Sequence, residues 1–225
     1  MRTKYPRTFH LPWSLGATDD DKTHSDAAVE AMFGGREVVI TEKMDGENTT
    51  IYPDGYTHAR SVDSAHHPSR AWVKALASQA GHDLPSNWRI CGENLFAKHS
   101  VGYEKLPSYF LAFSIWVKDF EGLVGDSCLS WDETEEWCKL LGVDLVPVLY
   151  RGPWDAGVAK DLWPLPSRFG SEAEGYVVRL AGSFKLSEFA RSVAKFVRKD
   201  HVQTDQHWMH AEIVPNGVSR GEESP

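Results

Sequence analysis

The stretch Arg36-Glu37-Val38-Val39-Ile40-Thr41-Glu42-Lys43-Met44-Asp45-Gly46-Glu47-Asn48-Thr49-Thr50-Ile51-Tyr52 decides how this chain is read. Residues 36–41 are a β-branched apolar run that predicts a strand, and residues 49–52 predict a second. Between them Lys43 stands at a strand end, beside a glycine turn. A lysine so placed is suited to attack on phosphorus if its amine can shed a proton. Free lysine is charged at neutral pH, so neighbouring cations or a bound metal must favour the neutral form.

Outward from this stretch, strands alternate with helices and no repeat appears. Ser25 caps a helix through residue 33 that ends at Gly34-Gly35, and residues 37–61 read as hairpin-like around a Pro53-Asp54-Gly55 turn. Residues 69–79 predict a helix closed by Gly81, and Ser130 with Glu133 forms a capping-box signature for a helix ending at Gly142. Further strands are expected at 88–93, 109–117, 143–150, 175–180 and 193–197, and a short helix at 201–209 capped at Thr204 or Asp205. This pattern argues for an α+β domain of antiparallel sheets flanked by helices. The domain is expected to span 1–210, with 211–225 a polar, flexible tail frayed from Val214 onward. Residues 5–13, dense in proline and aromatics, should pack across a core edge, with Arg7 and His10 candidates to border a site.

Composition agrees with one substantial globular domain: 225 residues, 41% of them hydrophobic. Cys91, Cys128 and Cys138 are an odd set without Cys-x-x-Cys spacing, which indicates neither a disulfide framework nor a zinc ribbon. With no apolar run long enough for a membrane span and no secretory leader pattern, the expected location is the reducing cytoplasm. The net charge is −8, yet the acids concentrate at 19–21, 132–136 and 222–223, and basic residues gather at 191–199 and at Lys98-His99. That distribution predicts a restricted positive groove and salt-sensitive binding of a polyanion. His58, His66 and His67 lack a Cys or carboxylate partner at ligand spacing and read as surface residues or contacts to such a polyanion.

Downstream of Lys43 come Arg60-Ser61, Cys91-Gly92-Glu93-Asn94, the apolar run 109–116 containing Phe113, Glu174-Gly175-Tyr176-Val177-Val178-Arg179, and Lys195-Phe196-Val197-Arg198-Lys199. By pattern alone Phe113 suits a core, Glu93 and Glu174 suit exposed strand ends, and the final cations suit a solvated edge. In order and spacing, however, the set resembles the nucleotidyltransferase motifs shared by polynucleotide ligases and mRNA capping enzymes. It is most similar to the ATP-dependent RNA ligase family, through Gly92-Glu93-Asn94-Leu95-Phe96-Ala97-Lys98-His99-Ser100 and residues 174–179. The resemblance runs over residues 5–209.

The resemblance implies an ATP-grasp-like adenylation domain with the nucleotide between its sheets. It makes Lys43 the nucleophile that forms a lysyl phosphoramidate with AMP, and Lys43, Glu174 and Lys195 the catalytic residues. Glu93 would bind a ribose hydroxyl, Phe113 would stack on adenine, and Glu174 would hold Mg²⁺ or Mn²⁺. Glu42, Asp45 and Gly46 would belong to the nucleotide site, with Arg60 and Lys195 among its phosphate-binding cations. The final motif usually carries two lysines one residue apart; here Arg198 or Lys199 would supply the second cation. The partners implied are RNA ends, a 5′-phosphate and a 3′-hydroxyl, in RNA repair. The alternatives are a GTP-using capping guanylyltransferase, a DNA ligase, or a noncatalytic RNA-end binder. Only 26 residues follow Lys199, so an appended oligonucleotide-binding (OB) barrel is not expected.

Overall fold

In the computed structural model, which describes residues 2–64, 66–119, 125–199 and 213–219, the strands form two sheets. The first has the order β1 (Phe9–His10), β11 (Val193–Val197), β9 (Gly175–Leu180), β2 (Glu37–Lys43), β8 (Val148–Pro153). The second has the order β10 (Phe184–Lys185), β7 (Asp126–Cys128), β6 (Phe110–Lys118), β5 (Trp88–Asn94), β3 (Glu47–Ile51), β4 (Thr57–Ala59). Neighbours are antiparallel except β1 and β11, which run parallel.

Side-chain alternation along the strands divides each sheet into a core face and a cavity face. On the first sheet Ile40, Tyr176, Val178 and Phe196 pack with Phe33 of α1 (Asp26–Phe33) and with Trp154, which precedes α4 (Ala156–Asp161). Tyr176 and Phe196 stack at 4.9 Å. The alternate residues Thr41, Lys43, Val177, Arg179, Val193 and Lys195 line a cavity between the sheets. The second sheet rests Ile51, Ile90, Ile115 and Val117 on Val73 and Ala77 of α2 (Ala71–Ala80) and Cys138 of α3 (Trp131–Leu140). The expected caps form: Ser25 Oγ accepts from the Ala28 amide at 3.2 Å, and Ser130 and Glu133 bond reciprocally.

Three sequence expectations change. The chain from 37 to 61 is not one hairpin: β2 pairs with β8 and β9, whereas β3 pairs with β4 and β5. Only the β3/β4 part, around Gly55 at φ +74°, is a hairpin. At the crossing between sheets Gly46 has no room for a side chain, since a Cβ there would lie 2.5 Å from the Asn94 carbonyl oxygen. The strand expected at 143–150 starts only at Val148, because Pro147 has no N–H for a ladder and instead accepts from the Glu42 amide at 2.8 Å. The helix α4 was not anticipated, although Asp155 caps it through the Gly157 and Val158 amides. The expected helix at 201–209 lies outside the described residues. Cys91, Cys128 and Cys138 are free and buried. Among the described residues no helix is long and apolar enough to cross a membrane.

The polar tail departs most from expectation. Residues 213–219 lie along the 95–106 segment through bridges Ala97↔Pro215 and Leu106↔Val218, with Asn216 only 4% exposed. The Asn216 side chain donates to the Leu95 carbonyl at 2.8 Å and accepts from the Tyr103 amide at 2.9 Å. Its hydrogen-bonding capacity, unused in an exposed tail, is what fixes this strap in place. Asn216→Ala leaves buried partners unsatisfied, at a cost of about 1–3 kcal/mol. The expected Tm fall is roughly 2–4 °C per kcal/mol, measurable by thermal unfolding.

Candidate active site

The antiparallel register of β2 and β9 sets Lys43 opposite Gly175 and so places Glu174 beside the lysine amine. Lys43 Nζ donates to Glu174 Oε2 at 2.6 Å, with side chains 24% and 4% exposed. Gly175 lets β9 lie close against β11, because a Cβ would lie 2.0 Å from the Phe196 carbonyl oxygen. In the same register Val177 faces Lys195, which lines the cavity two strands from Lys43. From the second sheet come Glu93 at the end of β5, Phe113 on β6 and Arg60 just beyond β4. All six residues line one cavity of about 980 Å³. The ring of Tyr5 meets Phe113 edge-on at 5.2 Å and closes that end.

The electrostatics correct one expectation. Burial disfavours the Lys43 ammonium, but Glu174, Glu93 and Asp45 outweigh it, so the amine is held above its usual range. The cations nearby do not neutralise it. Glu93 is pushed up to about 8, chiefly by burial; Lys43 opposes that shift, and Glu174, Asp45 and Glu47 add to it. Lys195 is pushed down to about 8 by burial and by the charge of Lys43.

Three residues of the expected site, Glu42, Asp45 and Gly46, line the cavity and also hold structure around it. The Glu42 carboxylate, 1% exposed, accepts from Ser167 Oγ at 2.6 Å and the Arg168 amide at 3.0 Å. Asp45 accepts from Ser100 Oγ and the Val101 amide, both at 2.7 Å, and its own amide donates to Tyr103 Oη at 2.7 Å. Together with Gly46 it ties the Lys43 turn to the segment after β5. Among the described residues lining the cavity, neither Arg198 nor Lys199 appears: Arg198 bonds Glu172, and Lys199 is exposed. The alternation that turns Lys195 inward ends with β11 at Val197.

His10 is fully buried outside the cavity lining, where it bonds Ser14 and is pushed down to about 4 by burial and Lys195. His58 is not a surface residue either: it is 2% exposed, 3.2 Å from Tyr52 Oη. Arg7 does line the cavity, donating to Asp21 at 2.9 Å. Asp21, one of the clustered acids at 19–21, lines it too.

Sequence reasoning left unassigned the cavity residues Tyr5, Trp116, Cys128, Arg179 and Phe184. For Arg179 the signal existed, since it shares the β9 parity of Gly175 and Val177. Arg179 donates to the Leu129 carbonyl at 2.7 Å and lies 5.4 Å from the Phe184 ring. Among the described residues no group of three or more His, Cys, Asp or Glu forms a metal cage. The donor set suits a hard divalent ion held by Glu174 together with phosphate and water oxygens, the usual manner of Mg²⁺.

Because the folded protein retains a Glu93 proton that the unfolded chain releases, stability falls as pH rises from about 4.5 toward 8. Glu93→Gln is expected to melt higher than the parent at pH 8, and the gap should close at pH 4.5, as followed by thermal unfolding across that range.

The sequence model of the family described as RNA ligase matches residues 36–197. A search of curated protein sequences finds no significant match. Among solved structures, a variant of Naegleria gruberi RNA ligase with ATP and Mn superposes with TM-score 0.59 at 18% identity, covering 87% of this chain and 60% of that one. The same enzyme with PPi gives TM-score 0.58 at 18% identity over 88% and 62% of the respective chains. A second variant with ATP and Mn gives 0.56 at 19%, covering 76% and 52%. The likeness at these identities is one of fold, and the chain spans 52–62% of the length of these proteins. With more than half of its length under the family match, the chain belongs to the RNA ligase family.

Proposed function

We propose that this chain is an ATP-dependent RNA ligase of the cytoplasm that joins a 5′-phosphate to a 3′-hydroxyl end through a lysyl-AMP intermediate. The observation that carries this reading is the Lys43 amine bonded to Glu174 inside a cavity that also holds Glu93 and Lys195. The Lys43 nitrogen attacks the α-phosphorus of ATP, the bond to the bridging oxygen breaks, and pyrophosphate leaves with the electron pair. An oxygen of the RNA 5′-phosphate then displaces Lys43 to give a 5′-adenylated end, from which the 3′-hydroxyl displaces AMP.

The carboxylates that keep Lys43 charged also tell when it becomes a nucleophile. A divalent cation held by Glu174 would offset their negative charge and stabilise charge on the phosphates. Lys43 then loses its proton as the nucleotide binds, not before, which limits idle reaction of the amine. Lys195 and Arg60 supply fixed positive charge at the phosphates, and Phe113 supplies a flat apolar surface for the base.

Lys43→Ala is expected to abolish AMP attachment, read as the mass of AMP on the intact protein after incubation with ATP and Mg²⁺. The same variant should still seal RNA that already bears a 5′-adenylate. An AMP adduct on Lys43→Ala refutes the assignment of the nucleophile. No adduct on the parent protein, with either ATP or GTP, refutes the enzyme.

A further inference from the structure

We infer that Asp21, carried by the amino-terminal segment, is a positioning residue for Lys195: its carboxylate is the counter-charge that holds that side chain in place within the cavity. What Lys195 does there rests on the ligase reading above; where Asp21 stands does not.

The segment that carries Asp21 is fastened along β11. β1 runs parallel to it, with His10 opposite Lys195, and the Leu11 amide donates to the Lys195 carbonyl at 2.7 Å. Farther along, the Val197 amide donates to Ser14 Oγ at 2.9 Å and the Gly16 amide to the Val197 carbonyl at 2.8 Å. The chain then turns back: the His10 amide donates to the Lys22 carbonyl at 2.8 Å, and the His24 amide to the His10 carbonyl at 2.9 Å. Residues paired in a ladder project from the same face, so the His10 ring stands beside the Lys195 side chain. The returning segment sets Asp21 against that ring, with Oδ2 3.6 Å from His10 Nε2.

Asp21 is built to stay ionised. Its side chain, 6% exposed, accepts from Arg7 at 2.9 Å, from the Thr18 amide at 3.1 Å and from Thr18 Oγ1 at 3.0 Å. Burial opposes the charge, but these bonds outweigh it and hold the carboxyl well below its usual range. His10 does not neutralise it: the ring is pushed down to about 4 by burial and Lys195, and its buried Nε2 finds no hydrogen bond. Asp21 and Lys195 both line the cavity, together with Arg7 and Glu93. The charges acting on Lys195 come from several walls: Lys43 on β2, Asp21, Glu174 just before β9 and Arg60 just beyond β4. Of the two carboxylates among them, Asp21 acts more strongly than Glu174, which bonds Lys43.

The test uses the full chain with isotope-labelled lysine and follows Lys195 by NMR, its signal identified by its loss in Lys195→Arg. In the parent the Lys195 amine should titrate at about 8. Asp21→Asn, which keeps an oxygen for the Thr18 amide, should bring that midpoint down to about 7. Arg7→Gln, at an exposed position, removes the carboxylate's other cation and should move the midpoint up. An ammonium is charged below its midpoint, so adenylation of Lys43 by ATP should fall about fivefold in Asp21→Asn at pH 8 and hardly at pH 6. That pH dependence should vanish when Lys195→Arg is also present, because an arginine stays charged. Should Asp21→Asn not fold, Arg7→Gln decides alone. Unchanged midpoints, or a loss of adenylation equal at both pH values, would overturn the inference. A parent protein that takes no AMP would refute the ligase reading, and the NMR comparison would still decide the pairing.

Discussion

The contact between the Lys43 amine and the Glu174 carboxylate organises this molecule, and it is a product of strand register. One residue of slip between β2 and β9 would turn Lys43 to the opposite face, into the packing of Tyr176 and Phe196. The register is held by apolar residues that never meet a substrate. Ile40, Tyr176 and Val178 are fully buried, so any other pairing would expose them to water. The chemistry therefore inherits its precision from the core behind it.

The cavity mixes buried charges of both signs. Glu174, Glu93 and Asp21 share it with Lys43, Lys195, Arg60 and Arg7, so neither sign dominates. Burial disfavours the charged form of each, which is chiefly why Glu93 and Lys195 both stand near 8 from opposite directions. On the ligase reading, a nucleotide bound here with its metal would change the sum of charges and so shift these groups together.

Much of this was legible in the sequence, and the failures are physical. The strands β5, β6, β9 and β11 follow from β-branched and aromatic runs, and the caps at Ser25 and Ser130 follow from local hydrogen bonding. Lys43, Glu93, Phe113, Glu174 and Lys195 stand out by their motifs, and they converge on one cavity. Periodicity could not tell that β2 and β3 part into different sheets, because pairing partners are distant in sequence. Nor could it show that Glu42 and Asp45, which line the cavity, also tie down loops beside it. The tail defies its polar composition because one buried asparagine, Asn216, outweighs it.

The strap at 213–219 sets an order of events during synthesis. Tyr103, whose hydroxyl receives the Asp45 amide, has its own amide bonded to Asn216, more than a hundred residues later in the chain. A ribosome must therefore extrude nearly everything described here before the turn after Lys43 acquires its final support. The pocket is finished only after residue 216 is made, and chains shorter than that lack the support of this turn.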